Sequence, residues 1–91
     1  MEKYVLTYAG PRGGKHTIIA IKSFEYEYYG VDRVLCCKIQ YGRCTRYAVD
    51  VYDVLTIETY DGVTVYNSKD NPKRDIIGLC AQLKKHGIRV Y

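Results

Sequence analysis

The chain has no tryptophan, one phenylalanine, one methionine, two histidines and two serines. No stretch approaches the apolar length that a membrane-crossing helix needs. The start, "MEKYVLTYAG", alternates from its third residue and carries neither a basic segment leading into an apolar one nor a cleavage signal, so no secretion signal is expected and the cytoplasm is the default. There is no CxxC. The four cysteines, Cys36, Cys37, Cys44 and Cys80, would need an oxidising compartment to form disulfides, so reduced thiols are expected. Neighbours in a strand point to opposite faces, so Cys36 and Cys37 are poorly placed to share a metal, and no zinc site is expected. His16, His86, Ser23 and Ser68 form no nucleophile-elbow or zincin pattern. No catalytic residue, metal or cofactor is therefore assigned, and a non-enzymatic protein is expected.

A chain of 91 residues makes one domain, 1–91. At this size it hides only roughly 60 to 65% of its extended-chain surface, which leaves no room for a second core.

The stretch "YAGPRGGKH" invites comparison with a phosphate-binding loop, whose glycines admit phosphate to backbone amides ahead of a helix. The pattern fails at Ala9, where a glycine is required, and at His16, where a hydroxyl is required. A β-branched strand, not a helix, follows. Gly10 and Pro11 suit a turn, and Arg12, Lys15 and His16 remain as groups that could meet an anion beside an open backbone.

Strand signals dominate. "YVLTYA" predicts a first strand, and in "HTIIAIKSFEYEYY" Phe24, Tyr26 and Tyr28 alternate with polar residues and are expected to face the core, leaving Tyr29 outside. Ile18 to Ile21 are apolar at every position, so either both faces are covered there or a bulge switches faces near Lys22. "RVLCCKIQY" and "CTRYAVDV" are expected to form a hairpin through a three-residue loop, Gln40, Tyr41 and a left-handed Gly42. That register sets Leu35 opposite Tyr47 and Cys37 opposite Thr45, with Cys36 outward beside Arg46. Asp61-Gly62 marks a tight hairpin with positive φ at both central residues. "DNPKRDIIGLCAQLKKHGI" is the one helix, capped by Asn71 or Asp70 with Pro72 at its first position, stopped by Gly87, and apolar along Ile76, Ile77, Cys80 and Leu83. Ile88 falls where a residue past the stop packs back on Leu83. "IRVY" suggests a short last strand.

The fold class is therefore α+β: a curled, mainly antiparallel sheet of five to seven short strands, barrel-like or open, closed by one amphipathic helix near the carboxyl end. A meander of strands followed by a helix resembles the pleckstrin-homology-type barrel in element order, although "GIRVY" departs from a fold that ends in its helix.

What the chain has in abundance is tyrosine: eleven, against one phenylalanine. A ring with a hydroxyl tolerates both burial and wetting, and exposed tyrosines are stiff anchors with little side-chain entropy to lose. Charge is segregated: residues 33–46 carry Arg33, Lys38, Arg43 and Arg46 and no acid, while residues 47–68 carry Asp50, Asp53, Glu58 and Asp61 and no base. A formal net charge of +4 is too modest to name nucleic acid as the partner by itself. The expected function is docking on a protein or nucleoprotein partner, modulating or inhibiting it, through Arg12, Lys15, His16, Tyr29, Tyr41, Arg43, Arg46, Lys84 and Lys85. The alternatives are direct nucleic-acid binding by the same tyrosines and cations, and binding of a small phosphorylated ligand by residues 10–16. No membrane partner is expected, and a homodimer stays open.

Overall fold

The computed structural model describes residues 3–29, 32–40, 42 and 45–91, with Tyr29 and Asp32 as backbone alone. Its elements are β1 (Tyr4–Ala9), β2 (Lys15–Tyr29), β3 (Asp32–Ile39), β4 (Arg46–Asp50), β5 (Val54–Thr59), β6 (Thr64–Asn67) and α1 (Ile76–Lys85), with 3₁₀ turns at Val51–Asp53 and Ser68–Asp70. The six strands form one antiparallel sheet in the order β4-β3-β2-β1-β5-β6. The sheet has two ends and does not close into a barrel, yet the molecule measures 31 × 29 × 26 Å, because the strands curl around their own inner face. That face carries Leu6, Ile21, Phe24, Leu35, Val54 and Ile57, and α1 lays Ile76, Leu79 and Leu83 on it.

The isoleucine run at the start of β2 is resolved by bulges. β1 and β2 shift register between Tyr4 and Leu6, β2 and β3 shift between Ile21 and Ser23, and Ala20 between them has φ 58°. Two extra residues turn the strand over, so Ile18, Ala20, Ile21 and Phe24 are all buried while Ile19 and Lys22 face out. Beyond them the inner face outruns the core. Phe24 is buried and Tyr26 half-buried, whereas Tyr28, expected inside, is 61% exposed. On the side of β2 left open where β1 ends, the chain terminus pairs: Tyr91 N–H donates to the Phe24 carbonyl at 3.0 Å and Tyr26 N–H to the Tyr91 carbonyl at 2.9 Å. The expected last strand is thus one parallel bridge at Val90.

The β3–β4 hairpin keeps the expected faces but not the expected register. Leu35 lies opposite Val49 and Cys37 opposite Tyr47, and Ile39 N–H donates to the Thr45 carbonyl at 2.8 Å, so residues 40–44 connect the strands. A shift of two preserves which side chains share a face, so alternation alone could not tell the two registers apart. Gly42 does take positive φ, 106°, while Tyr41 lies outside the described residues. At Asp61-Gly62 the hairpin forms with three loop residues: Gly62 N–H donates to the Thr59 carbonyl at 3.0 Å, Thr59 N–H to the Val63 carbonyl at 2.9 Å, and only Gly62 is left-handed. This is a type I turn closed by a bulge, so the expected two-residue turn is corrected.

The helix starts later than expected. Asp75 is its cap, accepting from Gly78 N–H at 2.9 Å, and Pro72 belongs to the preceding turn. The buried stripe is Ile76, Leu79 and Leu83 with Cys80 beside it, the spacing of one helical face. Ile77, one residue and 100° round from Ile76, is 74% exposed. At the other end Gly87 (φ 73°) donates to Lys84 and Ile88 to Leu83, the paired bonds of a Schellman stop, and Ile88 packs against the core as expected. No helix among the described residues is long and apolar enough to cross a membrane.

Candidate functional site

The residues expected to bind do not converge. Gly10 and Gly13 spend their amides within the β1–β2 turn, Gly10 N–H donating to the Gly14 carbonyl at 2.7 Å and Gly13 N–H to the Gly10 carbonyl at 3.1 Å. The His16 ring lies over Gly10, where a Cβ would meet it at 2.5 Å, and stacks on Tyr8 with centroids 5.4 Å apart. Arg12 and Lys15 are exposed around this turn, and Lys84 and Lys85 are exposed at the far end of α1. Tyr41 and Arg43 lie outside the described residues, as does the side chain of Tyr29. Arg46 is engaged: its guanidinium bonds Glu27 and lies 3.5 Å from Glu25, which Lys38 meets at 2.8 Å. The Glu27 bond, then Cys36, pushes the Arg46 pKa up. Cys36, expected outward, is buried beside this ion-pair group on the outer face of the sheet.

A different set does converge. Tyr28 and Arg33 face each other across the β2–β3 hairpin, the guanidinium 5.5 Å from the ring centroid. The 3₁₀ turn after β4 presents Tyr52, and Arg74 from the approach to α1 lies 5.3 Å over that ring and reaches the Tyr52 carbonyl at 3.5 Å. Arg33, Tyr52, Lys73 and Arg74 line one shallow pocket of ≈ 220 Å³. Tyr28 and Tyr52 are each 61% exposed. Its two carboxylates serve local structure: Asp50 accepts from Tyr52 N–H and Asp75 caps α1. Among the described residues Arg33, Lys73 and Arg74 make no ion pair. Arg74 also holds φ 48°, a left-handed backbone that costs a non-glycine residue roughly 1 kcal/mol. The sequence offered the residue types but not their meeting, since residues 28, 33, 52, 73 and 74 come from four separate segments. The one local signal was Tyr28 and Arg33 on either side of a short hairpin.

At the opposite end, Tyr8, Ile19, Tyr47 and Tyr60 border a broader groove of ≈ 580 Å³, where Ala20 N–H donates to Tyr60 Oη at 2.8 Å. Burial pushes the Cys37 thiol up to about 12 and raises Cys80, so neither is a thiolate near neutral pH. Among the described residues no three His, Cys, Asp or Glu side chains group as metal ligands do. No family model, no curated protein and no solved structure matches this chain.

Proposed function

We propose that the chain is a small non-enzymatic interaction protein that docks on a protein or nucleoprotein partner and modulates or inhibits it by occupying a surface. The observation that carries this reading is the cluster Tyr28, Arg33, Tyr52, Lys73 and Arg74. Two exposed rings, each under a guanidinium, stand beside three cations without ion pairs among the described residues. Tyrosine and arginine are the residue types that dominate binding energy at protein interfaces. The same groups suit phosphates and bases, so the partner's chemistry is read from salt dependence.

The test is recovery of partners from native cells by cross-linking and pull-down, with wild type beside an Arg33→Glu/Lys73→Glu/Arg74→Glu variant. A specific partner held by wild type and lost by the variant is expected. The same recovered set from both, or no specific partner from wild type, overturns the reading. Phosphate-led binding requires an affinity for the recovered partner that falls steeply with ionic strength, and a flat response excludes it. Arg74→Gly separates docking from stability. It relieves the left-handed backbone, which offsets glycine's extra unfolded-chain entropy and the lost contacts to Tyr52, and is expected to keep stability within about 1 kcal/mol of wild type while weakening partner binding, as urea melts and titration would show.

A further inference from the structure

β4 ends the sheet, and among the described residues no strand pairs with its outer side. Which backbone groups lie there follows from the ladder. Ile39 N–H donates to the Thr45 carbonyl, and hydrogen-bonded pairs alternate along an antiparallel ladder, so Cys37–Tyr47 and Leu35–Val49 are the bonded pairs to β3. Ala48 and Asp50, at the alternate positions, direct N–H and C=O away from β3.

The sequence of that edge, Arg46-Tyr47-Ala48-Val49-Asp50, is complementary to itself when reversed. An antiparallel copy centred on Ala48 sets Arg46 opposite Asp50 and Asp50 opposite Arg46, with Tyr47 opposite Val49. The centre falls on a residue whose backbone points outward, as a bonded pair on a two-fold axis requires. Shifting the register by two loses both opposite-charge pairs. Arg46 already bonds Glu27, so the second copy's Asp50 would extend an existing ion-pair group. Tyr47, an exposed ring on the inner face, would lie across the new strand pair from Val49 and lose part of its exposed surface to the second copy.

We infer that the occupant of the β4 edge is a second copy of this chain, paired antiparallel about Ala48 into one continuous sheet. A five-residue strand buries little area, which puts the dimer among weak and reversible associations. Self-pairing is separate from the docking patch. Asp50 borders both surfaces, so Ala48, which touches only one, is the principal probe.

The full chain is examined by sedimentation velocity from roughly 10 µM to 1 mM, a range chosen for the weak association of a small interface. Wild type is expected to move from its 10.5 kDa mass toward twice that value. Ala48→Pro removes an outward N–H without touching the β3 ladder, and edge strands accept proline there. It is expected to keep its thermal transition and to weaken association more than roughly ten-fold, through loss of the bonds on the axis. Arg46→Asp and Asp50→Arg are each expected to stay monomeric alone, and to associate when mixed because opposite charges again face each other. In wild type the Ala48 amide is expected to exchange more slowly as concentration rises. A single monomer mass over the whole range, Ala48→Pro pairing as well as wild type, or a mixture no more associated than its parts would overturn the inference.

Discussion

At the β6 border of the sheet a side chain takes the place of a missing strand, whereas the β4 border is left without one among the described residues. Gln82 of α1 accepts from Asn67 N–H at 2.8 Å and donates to the Asn67 carbonyl at 3.1 Å, the two bonds that a seventh strand would have made. Around it the helix is seated on a buried polar group: Asn71 donates to Tyr66 Oη at 3.2 Å and to the Asp75 carbonyl at 3.0 Å. The β3–β4 half has no helix, and its outer face is covered by Lys38, Arg46, Glu25 and Glu27, partly exposed ion pairs that contribute little to stability. A bare strand edge is a template for another chain, so the molecule has closed one border and left the other usable. The Tyr28, Arg33, Tyr52 and Arg74 group is held on this less covered side and beside the start of the helix, while a further exposed ring, Tyr91 under Arg89 at 5.1 Å, sits where the last residues pair with β2.

The largest effect that would break this comparison is alkaline, because it strikes the core under the open half. Cys37 is fully buried and its thiol is pushed up to about 12, by burial first and then by Cys36 beside it. Its folded pKa is raised above the unfolded value, so the contribution is complete below the unfolded pKa of about 8.5 to 9. Above that the unfolded chain sheds the proton and the folded one keeps it. Stability is then lost at about 1.4 kcal/mol per pH unit until the folded pKa is passed. Urea melts between pH 8 and 11 are expected to show this fall in wild type and a flatter one in Cys37→Ala, whatever the variant loses at neutral pH. Equal slopes in the two proteins would show that the thiol is not held neutral.

Smaller, and on the closed side, is the effect of filling Gly78. Alanine is favoured over glycine within a helix by about 1 kcal/mol. Here a Cβ would stand 2.2 Å from Asn71 Oδ1, and Asn71 cannot retreat without releasing Tyr66 and Asp75. Overpacking and broken buried bonds cost about 1 to 3 kcal/mol each. Gly78→Ala is therefore expected to destabilise by about 1 to 5 kcal/mol net, and much of that loss is expected to vanish beside Asn71→Ala. A cycle with no coupling between the two positions would remove the asparagine seat from the account.

The same contrast marks how far the sequence could be followed. Alternation gave the faces of β3 and β4, because burial depends on parity, but loop length left the register two residues off. The glycine stop at Gly87 was legible because a left-handed residue there has one common use. The start was not, since Asp70, Asn71 and Asp75 are all capping types and only the seat on Tyr66 selects among them. Leu79 belonged to the buried stripe and Ile77, 100° round from Ile76, did not, a distinction that fixes itself once Asp75 sets the first turn. The bulges about Ala20 were legible as one of two readings of the apolar run Ile18 to Ile21, but the gathering of Tyr28, Arg33, Tyr52 and Arg74 had no local cause. It follows from how the sheet curls, which no short window contains.

The mildest test sharpens the comparison directly by opening the closed border. Gln82→Ala takes both partners from Asn67 at a partly buried edge, and is expected to cost about 1 kcal/mol in urea melts. Gln82→Glu keeps an acceptor for the Asn67 N–H but has no donor for its carbonyl at neutral pH, so it is expected to recover only part of that loss. The more telling result is association. Placed in the Ala48→Pro background, Gln82→Ala leaves the chain with one newly bare edge, β6, whose four residues Thr64-Val65-Tyr66-Asn67 carry no charges to match in an antiparallel copy. If bare backbone were enough to pair two chains, this double variant would dimerise as wild type does. If the facing Arg46 and Asp50 select the partner, it stays monomeric in sedimentation across the same concentrations, and the β4 edge is distinguished by its charges and not by its exposure.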